Sequence, residues 1–326
     1  MQRRPPAPAP GPTVPSGPRL LPGRIPPESM YPAGDPSVTP RWLTLASGLR
    51  VRLLECGPPA GPPVVLLHGW CCSAYSFRRN LCALTDRGCR VLLPDLKGHG
   101  LSDKPTAAGE YTLPRMADHA VEVMDAAGVG RATLVGHSMG GAIALAVALR
   151  HPERVSRLAL LAPVGFGAIS VLSPARLLTP RAITPLLPRV VRRWMIAAVL
   201  RLAYGRGKAS ARDADEYFAP TQFPAFTPAM RALLHEFEWR PGERSDLARV
   251  AVPTLVMFGT RDRLVYRSSV AAMVRAIPNA VLDIVEGAGH VLPEEAAGRV
   301  NERLAELVAG AGDDRADRVA ARATAG

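Results

Sequence analysis

Ser138, Asp262 and His290 are three residue types that together can activate a hydroxyl, and they stand at well-separated points of this 326-residue chain. Ser138 lies in Gly136-His137-Ser138-Met139-Gly140-Gly141, a Gly-x-Ser-x-Gly pattern. A serine hydroxyl is a weak nucleophile at neutral pH and needs an adjacent base. Glycines around it permit a turn sharp enough to hold Oγ clear of the backbone. The helix that follows then offers free N–H groups and its dipole to a developing negative charge. Taken alone the pattern is only moderately specific, since a Gly-rich strand–helix turn with an incidental serine reads the same way.

Seven histidines compete for the role of base. His68, His99 and His137 belong to other motifs, and His119, His151 and His235 lie on or at the ends of expected helices. His290 ends Gly287-Ala288-Gly289-His290, a small-residue loop after the last expected strand, and is the expected base. A base of this kind needs a partner that fixes its tautomer. Asp262, in Gly259-Thr260-Arg261-Asp262, is the expected acid, with Glu286 as a competitor. Oxyanion donors are expected in the backbone N–H groups of Trp70, which follows His68-Gly69, and of Met139; one such donor contributes about 3–4 kcal/mol in related chemistry.

The elements that must position these groups follow from hydrophobic pattern. Val64–His68, Arg90–Pro94, Ala132–Gly136, Val155–Leu161 and Thr254–Phe258 are apolar runs of the kind buried on both faces of a sheet. A hairpin is expected over 42–55, with Ser47-Gly48 as its turn. Helical spacing occupies 74–87, 113–127, 140–150, 268–277 and 294–309, and a further strand 280–285. Strand–helix alternation predicts an α/β fold with a mostly parallel, doubly wound sheet. The alternation lapses over 164–245, where helical segments are broken by Pro and Gly, so an inserted helical cap is expected there. The expected layout is a Pro-rich disordered arm over 1–40, a core over 41–163 and 246–310, the cap over 164–245, and a flexible tail over 311–326.

Composition narrows the classes. Apolar residues make up 48% of the chain and charged residues 21%, which suits a globular protein. Met-Gln-Arg-Arg at the start is followed by no apolar run, so no secretory signal is expected, and no segment reaches the roughly 18–20 apolar residues of a spanning helix. The expectation is a soluble, cytoplasmic protein without integral membrane association. The net charge is +12. The densest basic cluster is Arg189, Arg192, Arg193, Arg201, Arg206, Lys208 and Arg212. With no nucleic-acid motif present, the charge is read as ordinary arginine usage, and no nucleic-acid partner is expected. Cys56, Cys71, Cys72, Cys82 and Cys89 are odd in number and irregular in spacing, which argues against a disulfide framework. Adjacent Cys71 and Cys72 lack the spacing of a metal knuckle; neither metal nor cofactor is expected.

Taken in order, His68-Gly69, the run Pro94-Asp95-Leu96-Lys97-Gly98-His99-Gly100-Leu101-Ser102-Asp103, Gly136–Gly141, Gly259–Asp262 and Gly287–His290 resemble the successive signatures of the α/β-hydrolase superfamily. The resemblance spans roughly residues 40–310. It implies that Asp95, His99 and Asp103 support a loop near the site without taking part in chemistry. It also implies that haloalkane dehalogenases and epoxide hydrolases, which place Asp where Ser138 stands, are poor matches. Proline iminopeptidases, which favour Gly-Gly-Ser-Trp-Gly, are poor matches too. Carbon–carbon bond hydrolases of ring-cleavage pathways resemble the core closely, but Trp70-Cys71-Cys72 replaces their small residues after His-Gly. The expected activity is therefore hydrolysis of a carboxylic ester, or a related acyl bond, through an acyl-enzyme. Alternatives are C–C bond, thioester or lactone hydrolysis, or a non-catalytic binding member of the fold. The cap segments Ile183–Leu187, Trp194–Leu200, Tyr217-Phe218 and Phe223–Phe226 are expected to roof the site and select a small apolar acyl substrate.

Overall fold

The computed structural model describes residues 26–164, 176, 179, 191–239 and 244–310. The strands are β1 (Thr39–Thr44), β2 (Arg50–Cys56), β3 (Pro63–Leu67), β4 (Arg90–Pro94), β5 (Ala132–His137), β6 (Val155–Leu161), β7 (Thr254–Gly259) and β8 (Ala280–Val285). They form an eight-stranded sheet ordered β1-β2-β4-β3-β5-β6-β7-β8. β2 runs antiparallel to β1 and to β4, and all other pairings are parallel. The fold is thus α/β with a mostly parallel sheet.

Period-two alternation distributes the apolar runs between the two faces. Val65, Leu67, Leu134, Leu158, Leu160, Val256 and Phe258 enter one core. Val64, Leu66, Val135, Ala159, Leu161, Leu255 and Met257 enter the other. The helices are α1 (Leu81–Thr85), α2 (Leu113–Ala126), α3 (Met139–Arg150), α4 (Arg193–Ala203), α5 (Ala211–Phe218), α6 (Phe226–Glu236), α7 (Arg244–Leu247), α8 (Arg267–Ala276), α9 (Leu292–Glu295) and α10 (Ala297–Val308). α2, α3 and α8 pack on the first face, α1 and α10 on the second. Between β6 and β7 the described residues are helical, α4 to α7, with no strand among them. No described helix is long and apolar enough to cross a membrane.

Three expectations change. Residues 26–40 are not an unstructured arm: Met30, Tyr31 and Val38 are buried, and the segment enters β1. The cause lies in Arg52, a buried cation on β2 that donates to the carbonyl of Tyr31 (2.9 Å), while the Tyr31 N–H donates to Glu216 Oε1 (3.0 Å). Residues 1–25 and the tail 311–326 lie outside the described residues. The helix expected over 74–87 is split into a 3-10 turn, Ala74–Phe77, and α1. The break surrounds Asn80, fully buried, whose Nδ2 donates to Asn301 Oδ1 (2.7 Å), so a polar contact interrupts the apolar period. The last helix starts earlier than expected and is broken at Ala296 (φ −122°), because Glu294 and Glu295 in α9 turn to partners elsewhere.

Candidate active site

β5 is flanked by β3 and β6 near the middle of the sheet, and Ser138 is its immediate continuation. Ser138 adopts φ 54° and ψ −115°, a conformation L residues avoid, between a strand and the first residue of α3. Its neighbours make this possible. A Cβ on Gly136 would lie 2.2 Å from the Gly140 carbonyl oxygen, and one on Gly140 would lie 2.0 Å from the Leu67 carbonyl oxygen. Both positions therefore require glycine for close approach of β5, α3 and the end of β3.

The structure brings the three widely spaced residues together. Ser138 Oγ donates to His290 Nε2 at 2.9 Å, and His290 Nδ1 donates to Asp262 Oδ2 at 2.8 Å. An ionised carboxylate can only accept, so the proton sits on Nδ1 and Nε2 faces the serine as acceptor. Asp262 follows β7; its side chain is fully buried, and its Oδ1 accepts from the N–H groups of Leu264 (2.8 Å) and Val265 (3.0 Å). Burial opposes the charged form, but the His290 imidazole and these donors outweigh it and hold the carboxyl below the usual carboxylate range. The competitor Glu286 is exposed.

Trp70 and Met139 N–H groups make no hydrogen bond among the described residues. Met139 is the first residue of α3. Trp70 sits in a turn closed by Cys72 N–H on the Gly69 carbonyl (3.2 Å), with Cys71 at φ 59°. Gly69 abuts the serine: a Cβ there would lie 3.3 Å from Ser138 Cβ. Cys71 and Cys72 stand close by, but burial pushes both thiols up, away from the thiolate form. Among the described residues no cluster of His, Cys, Asp or Glu is arranged to hold a metal ion.

Several residues that sequence reasoning passed over hold the His290 loop. His137 Nε2–H donates to the His290 carbonyl (2.9 Å), and burial lowers the pKa of this imidazole to about 3, so it stays neutral. The His290 N–H donates to the Ala203 carbonyl at the end of α4 (2.7 Å). Glu295 accepts from Gly205 N (2.9 Å) with one oxygen and from Gly289 N (2.6 Å) with the other. Backbones cross so closely that a Cβ on Gly289 would lie 2.4 Å from the Ala203 carbonyl oxygen. No spacing in the sequence announces these contacts.

The segment between β6 and β7 is also fastened elsewhere. Buried Glu294 accepts from Arg78 (2.6 Å), Tyr204 OH (3.0 Å) and Tyr217 OH, and Asp213 accepts from Arg78 (2.6 Å) and Tyr75 OH (2.7 Å). The Trp70 indole donates to the Met230 carbonyl on α6 (3.3 Å) and meets Trp239 edge-on. Of the expected roof residues, Phe226 is buried and Phe223 partly buried in the core cluster that includes Trp70 and Met139. Trp194–Leu200 does not behave as a roof: Leu200 alone of the seven is buried, and Trp194 and Val199 face solvent, because the helix period turns them away from the body. Ile183–Leu187 lies outside the described residues.

Asp95, His99 and Asp103 sit in the loop after β4 and its return. Asp95 takes an ion pair from buried Arg52 (2.7 Å) and the N–H groups of Ala74 and Leu101 (2.9 Å each). Asp103 accepts from Arg50 N (2.7 Å). Buried His99 donates from Nδ1 to the Lys97 carbonyl (3.1 Å) and stacks edge-on against His68.

The family model of the alpha/beta hydrolase fold matches residues 62–199. A 2-hydroxymuconate semialdehyde hydrolase of Pseudomonas putida is 34% identical over 277 residues, covering 81% of this chain and 91% of the relative. Epoxide hydrolase A of Mycobacterium tuberculosis is 28% identical over 310 residues, covering 81% and 95%. Among solved structures, a meta-cleavage product hydrolase from Pseudomonas fluorescens superposes with a TM-score of 0.72 at 25% identity, covering 84% of this chain and 99% of that one.

Proposed function

The chain belongs to the α/β-hydrolase fold family, and from that premise we propose that it is a serine hydrolase acting on a small acyl substrate, cleaving a carboxylic ester through an acyl-enzyme on Ser138. The observation that carries this reading is the continuous relay from Ser138 Oγ through His290 to ionised Asp262, at 2.9 and 2.8 Å. In the proposed reaction His290 Nε2 takes the serine proton as Oγ adds to the substrate carbonyl. The oxyanion is met by the N–H groups of Trp70 and Met139. Collapse of this intermediate expels the alcohol, which receives the proton from His290. Water, deprotonated by the same imidazole, then releases the acid and restores Ser138. Asp262 stabilises the imidazolium at each step. Trp70, Phe223 and Met230, grouped in one apolar cluster with Met139, support a preference for apolar acyl groups.

A fluorophosphonate that phosphonylates activated serines tests the nucleophile. Labelling at Ser138, lost in Ser138→Ala, is the expected result, and an unlabelled wild-type protein would sink the reading. With p-nitrophenyl esters, kcat/KM is expected to rise from acetate to hexanoate, since each buried CH₂ contributes about 0.8 kcal/mol. A steady decline from acetate onward would remove the apolar preference.

A second reading is favoured by the 34% identity to a 2-hydroxymuconate semialdehyde hydrolase: the same attack on a carbonyl, with a carbon leaving group. It stands against the residues Trp70-Cys71-Cys72, whose bulk after His68-Gly69 differs from the small residues expected in that branch. Following the chromophore of 2-hydroxymuconate semialdehyde beside the ester panel separates the two. A kcat/KM for the semialdehyde above that of every ester selects C–C cleavage.

A further inference from the structure

α4 carries an apolar face that the site does not use. At 100° per residue, Trp194, Met195, Ala198, Val199 and Leu202 fall on one side of this 11-residue helix, and buried Leu200 and Ala203 fall on the other. Trp194 is 70% exposed, Val199 60%, Leu202 41% and Met195 37%. Four of the seven large hydrophobic residues exposed among the described residues therefore sit on one face, a contiguous patch rather than scattered single residues. Cations border it. Arg201 is exposed on α4 at the edge of the patch, and exposed Lys208 follows beyond the helix end, past Arg206, whose guanidinium lies against Gly287. Arg193 belongs to a different group, because its charge is matched by Asp215 (2.5 Å).

An exposed apolar face with a tryptophan and a basic border is the pattern of a helix that lies in a lipid interface. Charge complementarity selects this occupant over a second copy of the chain. Another copy would bring the same basic border and the same +12 net charge to the contact, whereas anionic headgroups would neutralise it. We propose that the outward face of α4 docks the protein on an anionic lipid surface, with Trp194, Val199 and Leu202 entering the interface and Arg201 and Lys208 facing the headgroups. The docking does not depend on which bond the site cleaves. Because the C-terminal end of α4 hydrogen-bonds the His290 loop, docking would bring the site to the membrane surface.

Flotation of the full-length protein with vesicles tests this. One set is phosphatidylcholine alone, the other equal parts phosphatidylcholine and phosphatidylglycerol. Flotation with the anionic set at low salt is expected, much reduced with the neutral set. The double variant Trp194→Glu, Val199→Glu should weaken partitioning on the order of tenfold or more. Arg201→Gln should weaken it about fivefold, the share of one basic residue near the surface. Both variants alter exposed positions, so their melting temperatures should match the wild type. The proposal is overturned if the wild-type protein stays with the aqueous fraction beside anionic vesicles. It is equally overturned if the double variant floats as well as the wild type, which would leave diffuse charge as the cause. A lipid-free dimer that the double variant converts to monomer would assign the face to a second copy and overturn it too.

Discussion

At Ser138 the backbone holds φ 54° although a side chain is present, and the relay to His290 depends on that placement. Asp262→Asn keeps the shape of the acid but favours the wrong imidazole tautomer; a loss of about 10⁴ in kcat is expected, by analogy with serine proteases. Steady-state kinetics on a p-nitrophenyl ester measures it, and an unchanged rate would remove Asp262 from the relay. Cys71, at φ 59°, occupies the turn that presents the Trp70 N–H. Cys71→Gly should leave stability within about 1 kcal/mol of wild type, since relief of strain offsets the added chain entropy. Cys71→Val should destabilise by about 1–3 kcal/mol, because a β-branched residue resists that region. Chemical denaturation distinguishes them. Ser138, Asp262 and His290 are legible in the sequence because the roles proposed for them, nucleophile, acid and base, call for particular residue types in turns after strands. His137 and Cys71 are not, because their roles are backbone placement and one polar contact, which many residue types in many settings could supply.

Among the elements, the strands are the most legible, since burial on both faces demands uninterrupted apolar runs, and all five core runs are strands. Helix limits are less so. The breaks at Asn80 and Ala296 arise from long-range partners, Asn301 for one and Tyr204 and Gly205 for the other, which no local pattern encodes. The short anchor Met30-Tyr31 is hidden in the same way, because its partners Arg52 and Glu216 lie far along the chain. The junction of α4, Gly205 and the His290 loop rests on Glu295, which bridges both strands of backbone. Glu295→Gln retains one acceptor and replaces the other by an amide donor, leaving one N–H without a partner. A loss of about 1–3 kcal/mol at this junction is expected. It should appear as roughly a tenfold or greater fall in kcat with faster proteolytic cleavage between residues 191 and 239. Wild-type values for both would mean that the bridge does not position His290.

For the molecule as a whole, the buried Arg52–Asp95 pair joins the N-terminal segment, β2, and the loop after β4. Burial opposes the Asp95 charge, but Arg52, His68 and the Ala74 N–H outweigh it and lower the carboxyl to about 2. A carboxyl held below its ordinary value near ~3.9 stabilises the fold above that value and ceases to do so as pH falls toward the lowered one. Asp95→Asn strands the Arg52 charge and should destabilise by about 3–5 kcal/mol at neutral pH. The gap between wild type and variant should be constant above about pH 5 and shrink by roughly 2 kcal/mol on approach to pH 2. Urea melts across that range test the sign, and a gap that widens on acidification would contradict it. The hydrogen bond from His290 N–H to the Ala203 carbonyl has a different kind of consequence. It makes the segment between β6 and β7 and the rest of the chain a poor pair of interchangeable parts. A chimaera that swaps residues between β6 and β7 with those of a relative would import a foreign backbone acceptor and lose the Gly205–Glu295 match. Productive recombination within this family should therefore keep the stretches 203–205 and 287–295 from the same parent, even though some eighty residues separate them in the chain.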